Sequence, residues 1–507
     1  MKKIFFFLGL FIALILPNNI YAQSTKADLD VTYIEISPKY NRYRFIDEGI
    51  DRIPVLAPIP GDPDNDPTND KHWPDPGENV TITAHFKNKG KITARKFAYK
   101  LFIDNVVKKQ GTIQNLSLNQ ENTVSYVWPW PNNLEDHTVT FSIDTNNQIS
   151  EFNENNNSLT EYTNSLSYSI WVEEKLYTMF NQKLNSVNSY SFEDWLHWQV
   201  NELKRQLVNS RYPLTPDGIK ERIRIDRIIV IPYVSYDLNN WIQAMDNDQY
   251  KWQTDGRWQF VSGRNTLAEK QIEWNNYLNT YINRLDYGLT HELVHQLGVI
   301  DNYRFNKANT EPNNLIEVTD KNGNLANAPW PYECQGLMGG DSAKMEGICI
   351  GSNMEDHAII PLKLNFHFRR GFYGEYLFDI PENNFLKILD VNGNPIASAS
   401  VSLYQKSRDT EIIDNIPEHE GITDENGQFF LNNRPVTPVT TITGHSLRNN
   451  PFGPISVVGE NCSFFVKINY NGNEEFQWLT IRPFNLAFWN GQTTENIIPI
   501  KTNFTVQ

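Results

Sequence analysis

The sequence predicts a multidomain protein in which an α+β segment lies between two all-β sandwiches. Three observations carry this expectation. Toward both ends the chain alternates apolar and polar residues in short runs broken by turns, the period of a half-buried strand. The middle repeats its apolar side chains at intervals of three and four, the period of an amphipathic helix. Finally, 507 residues are more than one hydrophobic core organises.

The chain opens on Met1-Lys2-Lys3, followed by an apolar run over residues 4–17 and a small residue at Ala22. This reads as a secretory signal peptide, residues 1–22, cleaved after Ala22. Nothing later is apolar enough to be a transmembrane segment, and no cysteine near the cleavage site invites a lipid anchor. The expected location is secreted, periplasmic or at the cell surface. Losing Lys2 and Lys3 takes the formal charge from −15 to −17, which disfavours nucleic acid and anionic membrane as partners. The three cysteines are too few for a disulfide scaffold. In an oxidising compartment Cys334 and Cys349 can pair, closing a loop worth on the order of 3 kcal/mol and leaving Cys462 free.

The first domain is assigned to residues 23–168. Its clearest strand is Val80-Thr81-Ile82-Thr83-Ala84-His85-Phe86, and similar runs occur at residues 97–103, 124–128 and 139–143. Turns such as Asn88-Lys89-Gly90 and Asp144-Thr145-Asn146-Asn147 separate them, as in a β-sandwich. The stretches Pro76-Gly77-Glu78-Asn79-Val80, Lys87-Asn88-Lys89-Gly90 and Ile149-Ser150-Glu151-Phe152-Asn153-Glu154-Asn155-Asn156-Asn157 resemble the cell-adhesion-related domain (CARDB) of bacterial surface and secreted proteins. That resemblance implies an immunoglobulin-like module that positions or attaches and does no chemistry.

Ahead of it, Gly61-Asp62-Pro63-Asp64-Asn65-Asp66-Pro67-Thr68-Asn69-Asp70 sets carboxylates at every second residue, a spacing that suits Ca2+. Pro67 stands where an EF-hand needs glycine, and no bidentate Glu follows. The stretch reads better as a solvated turn.

The middle domain is assigned to residues 169–381. Residues 171–183 and 191–208 show helical spacing, residues 224–232 read as a strand, and a further helix is expected over 267–284. The aromatic connection carrying Trp241, Tyr250, Trp252 and Trp258 reads as core more readily than as a cleft lining.

Next comes His291-Glu292-Leu293-Val294-His295-Gln296-Leu297-Gly298-Val299-Ile300-Asp301. On a helix, residues four apart share a face, so both imidazoles can reach one ion while Glu292 stands beside it. Gly298 suits a helix end, after which Asp301 can supply a third ligand and leave one tetrahedral position for water. A chance HExxH is expected in roughly one chain in a hundred of this composition, so coincidence is a weak rival.

Forty-three residues past His295, Gln335-Gly336-Leu337-Met338-Gly339-Gly340 forms a glycine-rich turn around Met338. Met354 is the rival methionine, but the apolar positions after it look like the helix that follows the turn.

Together these residues resemble the metzincin clan of zinc endopeptidases, in the snapalysin-type variant with an aspartate third ligand. The resemblance implies that His291, His295 and Asp301 bind Zn2+, that Glu292 is the general base, and that Met338 is the Met-turn residue. It also implies that the strand beside the cleft offers its edge to an extended peptide. Some clan members place a helpful tyrosine two residues after the methionine. Here that place is Gly340, which leaves Tyr332 or His357 as stand-ins.

The third domain is assigned to residues 382–507. Alternation returns at residues 385–389 and 401–404. Asp390-Val391-Asn392-Gly393-Asn394-Pro395-Ile396 and Thr423-Asp424-Glu425-Asn426-Gly427-Gln428-Phe429 resemble the transthyretin-like or carboxypeptidase-regulatory sandwiches that trail secreted enzymes. Asp390 and Asp424 read as turn residues and not as calcium ligands.

The expected fold class is therefore an α+β zincin, metzincin-like catalytic domain flanked by two all-β immunoglobulin-like sandwiches. The expected function is a secreted zinc endopeptidase acting on protein or peptide substrates. The alternative is a surface protein whose sandwiches bind a cell-surface or matrix partner and whose metal site is structural or inactive.

Overall fold

The described residues of the first third fold as their alternation predicts. A computed structural model describes residues 25–37, 44–48, 51–55, 74, 76–131, 137–163, 165–182, 191–220, 223–232, 256–264, 266–295, 297, 299, 316–328, 336–338, 354–364, 377, 379–405, 412–431, 438–440, 446–448 and 463–506. The signal-peptide and calcium-like stretches lie outside the described residues.

Strand β1 (Leu29–Ser37) is followed by the hairpin β2 (Arg44–Glu48) and β3 (Asp51–Val55), then by β4 (Asn79–Asn88), β5 (Ala94–Ile103), β6 (Val106–Leu116), β7 (Glu121–Pro129), β8 (Thr138–Ile143) and β9 (Ser158–Tyr162). Sheets β1-β4-β7 and β6-β5-β8-β9 enclose one core. Along β4, Val80, Ile82, Ala84 and Phe86 are buried while the residues between them are less so, because successive side chains of a strand face opposite ways.

The Lys87-Asn88-Lys89-Gly90 motif has a physical explanation. The Asn88 side chain donates to Ile92 O (2.8 Å) and Leu116 O (2.9 Å) and accepts from Asp28 N (3.2 Å) and Gly90 N (3.0 Å). A Cβ on Gly90 would stand 2.3 Å from the carbonyl carbon of Ala27, so only glycine lets the turn approach the start of β1. Glu151, in the closing motif, accepts from Leu29 N and Asn157 Nδ2.

Burial pushes the Glu151 carboxyl up to about 8 and the nearby Asp28 up to about 6. Both are raised above their unfolded values, so their contribution to stability is present below the ordinary carboxylate range. It is lost as pH rises through about 6 for Asp28 and about 8 for Glu151. The melting temperature should therefore fall between pH 5 and pH 9, and Glu151→Gln should flatten the upper part of that fall. An unchanged slope in the variant would remove Glu151 as its source.

The middle domain is built on strand β10 (Leu166–Glu173), which crosses the expected boundary at 168/169. Here the sequence reading needs correction: Trp171, Val172 and Glu173 close this strand, and helix α1 (Glu174–Gln182) starts only afterwards. Every residue of β10 is buried, as expected of a central parallel strand, so it shows no alternation to distinguish it from a helix.

Helix α2 (Phe192–Asn209) leads to β11 (Ile223–Ile231), which pairs parallel to β10 on one side. Strand β12 (Gly256–Phe260), also parallel, pairs on the other. Of the aromatic connection, Trp258 is described, and it is core. Helix α3 (Leu267–Tyr281) opens with a Thr266/Glu269 capping box and is tied to the end of β10 by a buried Lys270–Glu173 pair at 2.6 Å. Helices α4 (Tyr287–His295) and α5 (Asp356–Leu364) complete the core among the described residues.

The last domain contains β13 (Asn383–Leu389), β14 (Ser400–Gln405), β15 (His419–Ile422), β16 (Gln428–Phe430), a hairpin of β17 (Pro438–Thr440) and β18 (Ser446–Arg448), β19 (Ser463–Tyr470), β20 (Asn473–Thr480), helix α6 (Arg482–Trp489) and β21 (Glu495–Lys501). Sheets β16-β13-β21 and β15-β14-β19-β20 share one apolar core. Asp390 Oδ1 accepts from Asn392 N and Asn394 N, and Asp424 Oδ1 from Asn426 N and Gln428 N. Each carboxylate thus closes its own turn. Asp320 does the same at Asn322 N and Asn324 N, a third copy that was not expected.

The first two domains are clasped. Arg224 Nη1 donates to the carbonyls of Tyr162, Thr163 and Ser165, which holds the connection between them. Lys204 pairs with Glu161 at 2.9 Å, and His197 donates to Thr32 O at 2.6 Å. Lys89 reaches across to Glu193 and Ser191 at the start of α2.

Candidate metal centre

Helix α4 begins where Asp286 Oδ1 accepts the N–H of Leu289, satisfying one of the donors a helix leaves open at its N-terminus. Its inner face is apolar: Leu293 and Val294 are fully buried, with Leu297 and Val299 just beyond. That packing fixes the helix rotation and sets His291 and His295 on a common side. His291 is buried, His295 half-buried and Glu292 exposed. The two imidazoles stand perpendicular with ring centroids 4.7 Å apart, and one potential ligand atom from each of His291, Glu292 and His295 lies within 4.8 Å of the others.

The orientation of both rings is held from behind. His291 Nδ1 donates to Leu337 O at 3.0 Å, and His295 Nδ1 donates to Val299 O at 2.8 Å. A proton fixed on Nδ1 puts the lone pair on Nε2, the tautomer a metal-binding imidazole needs. These three side chains therefore form a triad that fits a divalent metal ion.

Met338 follows Leu337 in a turn opened by Gly336 at φ +70°, and it is buried in the same apolar cluster as Leu293 and Val294. Met354 is also buried there, but its N and O atoms bond Ser210 Oγ and Tyr212 Oη just before α5. Asp301, Gly298, Gly340, Tyr332, Cys334, Cys349 and Cys462 lie outside the described residues.

His357 must be reassigned. It is fully buried on α5, its Nε2 bonds Asn485 Oδ1 of α6 at 2.9 Å, and burial drops it to about 4. That environment makes it a neutral structural contact and unsuits it as the donor in place of a tyrosine. The carbonyls of Leu337 and Val299 were not foreseen. Backbone acceptors leave no residue-type signal.

The sequence profile of the CARDB family matches residues 67–161. Those residues form a CARDB domain. Its first sheet also recruits β1, which lies ahead of the matched segment.

Among solved structures, the chain is similar to a CARDB domain from Pyrococcus furiosus crystallised in complex with di-metal ions, at 19% identity over 28% of this chain and 94% of the other, TM-score 0.18. A solution structure of a CARDB domain from the same organism matches at 23% identity over 17% and 78%, TM-score 0.16. A domain of a Methanosarcina acetivorans protein matches at 29% identity over 16% and 72%, TM-score 0.15. No curated protein matches the chain. Among the described residues, no helix is long and apolar enough to cross a membrane.

Proposed function

We propose that the chain is a secreted zinc endopeptidase in which His291, His295 and Asp301 hold the ion and Glu292 is the general base. The observation that carries this reading is the pair of imidazoles whose Nδ1 atoms are held by Leu337 O and Val299 O, with an exposed carboxylate beside them. A bound zinc ion supplies Lewis acidity, polarising the scissile carbonyl and lowering the pKa of water toward neutrality.

Glu292 takes a proton from the attacking water and returns it to the leaving amine. Its exposure leaves the carboxylate open to substrate, whereas burial of His291 and Val294 fixes the helix against recoil. Met338 packs into the cluster that supports the helix, so it acts on the site through the packing of that helix and of Leu337.

The ligand set has its own test. Asp301→Ala should lose at least about tenfold in zinc affinity, read by equilibrium dialysis against a zinc buffer. Retention of one tightly bound zinc per chain would exclude Asp301 and point to Glu311 or to Glu292, the carboxylate beside the imidazoles.

One observation favours a second reading. A CARDB domain suits a surface-binding protein with a cell-surface or matrix partner, in which the metal site is structural or inactive. Against it stands Glu292, because a structural zinc site closes all four positions with Cys and His and has no use for an exposed neighbouring carboxylate.

A further inference from the structure

Leu337, whose carbonyl orients His291, is buried in the core of the middle domain, and the described segments before and after it in the chain both reach the last domain. Leu337 and Met338 sit between two segments, residues 316–328 before them and α5 after them. The apolar side chains of the first segment pack on the last domain. Ile316, Val318, Ala326 and Ala328 form a separate cluster with Phe465 and Trp478 of the β15-β14-β19-β20 sheet. Its backbone is fastened there as well: Glu317 N donates to Ile413 O at 2.8 Å, and Lys467 Nζ to Thr319 O at 3.2 Å.

The second segment is latched by α6. Arg482 grips the Asp356 carboxylate in a bidentate pair (2.9–3.1 Å), and Asn485 holds His357. On α6, Leu486 and Trp489 pack against the core of the middle domain, while Phe484 belongs to the core of the last. The helix is therefore shared by both.

We infer that the C-terminal sandwich positions the metal site by anchoring residues 316–328 and α5, the described segments that precede and follow in the chain the Leu337 whose carbonyl orients His291. This rests on the metal-binding reading proposed above and assigns the sandwich a part in it. A carbonyl partner of a ligating imidazole typically affects metal affinity by about 10- to 100-fold. Loosening the anchors should weaken binding on that scale although no ligand is touched.

The test uses the full chain, with Zn2+ affinity from competition titration and the visible spectrum of the Co2+ form. Arg482→Gln and Asn485→Ala should each lose about tenfold in Zn2+ affinity and alter the Co2+ spectrum. The charge-exchanged pair Asp356→Arg with Arg482→Asp should recover part of both. A core variant of the first sandwich, Phe86→Leu, lowers stability and should leave both readouts unchanged, which separates positioning from general destabilisation. Parent affinity and an unaltered Co2+ spectrum in Arg482→Gln and Asn485→Ala would overturn the inference. Zn2+ binding that His291→Ala leaves intact would instead overturn the metal reading, and this inference with it.

Discussion

Glu292→Gln is expected to keep one zinc ion per chain and to lose peptide cleavage by about 10²- to 10⁴-fold, the usual weight of a general acid–base group. The substitution preserves shape and hydrogen bonding while removing the ability to take a proton. It leaves His291 and His295 on their Leu337 and Val299 carbonyls, so the histidine part of the site is untouched. Zinc content and initial rates on casein or gelatin read the two effects separately. Because a Glu292 carboxylate oxygen lies within 4.8 Å of a ligand atom of each imidazole, loss of the metal in this variant would make it a ligand instead. Cleavage at the parent rate would take it out of the mechanism altogether.

The largest expected loss of stability lies far from the metal, at Lys89. Its ammonium is buried at the clasp between the CARDB domain and α2, paired with Asp30 and with Glu193 at 3.0 Å, and it bonds Ser191 Oγ. Burial pulls the ammonium down, and Asp30 and Glu193 more than offset this, holding it well above the usual lysine range. Asp30 and Glu193 are nearly fully buried, so Lys89→Ala strands two carboxylates with little water to solvate them. Breaking a buried pair from one side costs about 3–5 kcal/mol. Urea unfolding should show that loss, with the CARDB domain melting ahead of the rest. A change below about 1 kcal/mol would mean the clasp behaves like a surface ion pair.

Much of the fold was legible because the physics that writes the pattern also makes the structure. In β4 the alternation from Val80 to Phe86 is set by a strand with one buried face, and the CARDB motif residues Asn88 and Gly90 hold a turn nothing else fits. The HExxH spacing likewise placed three side chains together. What was not legible depends on partners distant in the chain. β10 is buried throughout and has no period to read, so its end looks helical in the sequence. Residues 316–328 look polar and irregular, because their few apolar positions become core only against Phe465 and Trp478. His357 offered a reactive residue type, and only the packing of α6 shows that it is sealed. The third ligand, Asp301, and the cysteine pair lie outside the described residues, so the sequence alone speaks for them.

Metal content and proteolysis, measured on one preparation of the full chain, test the central claim most directly. The protein should carry one zinc ion and cleave casein or gelatin. It should lose both on treatment with 1,10-phenanthroline, and regain both when the chelator is removed and zinc is restored. Full cleavage by the metal-free chain would contradict the account. So would a stoichiometric zinc form that cleaves no peptide, which is the outcome expected of a surface-binding protein with an inactive metal site.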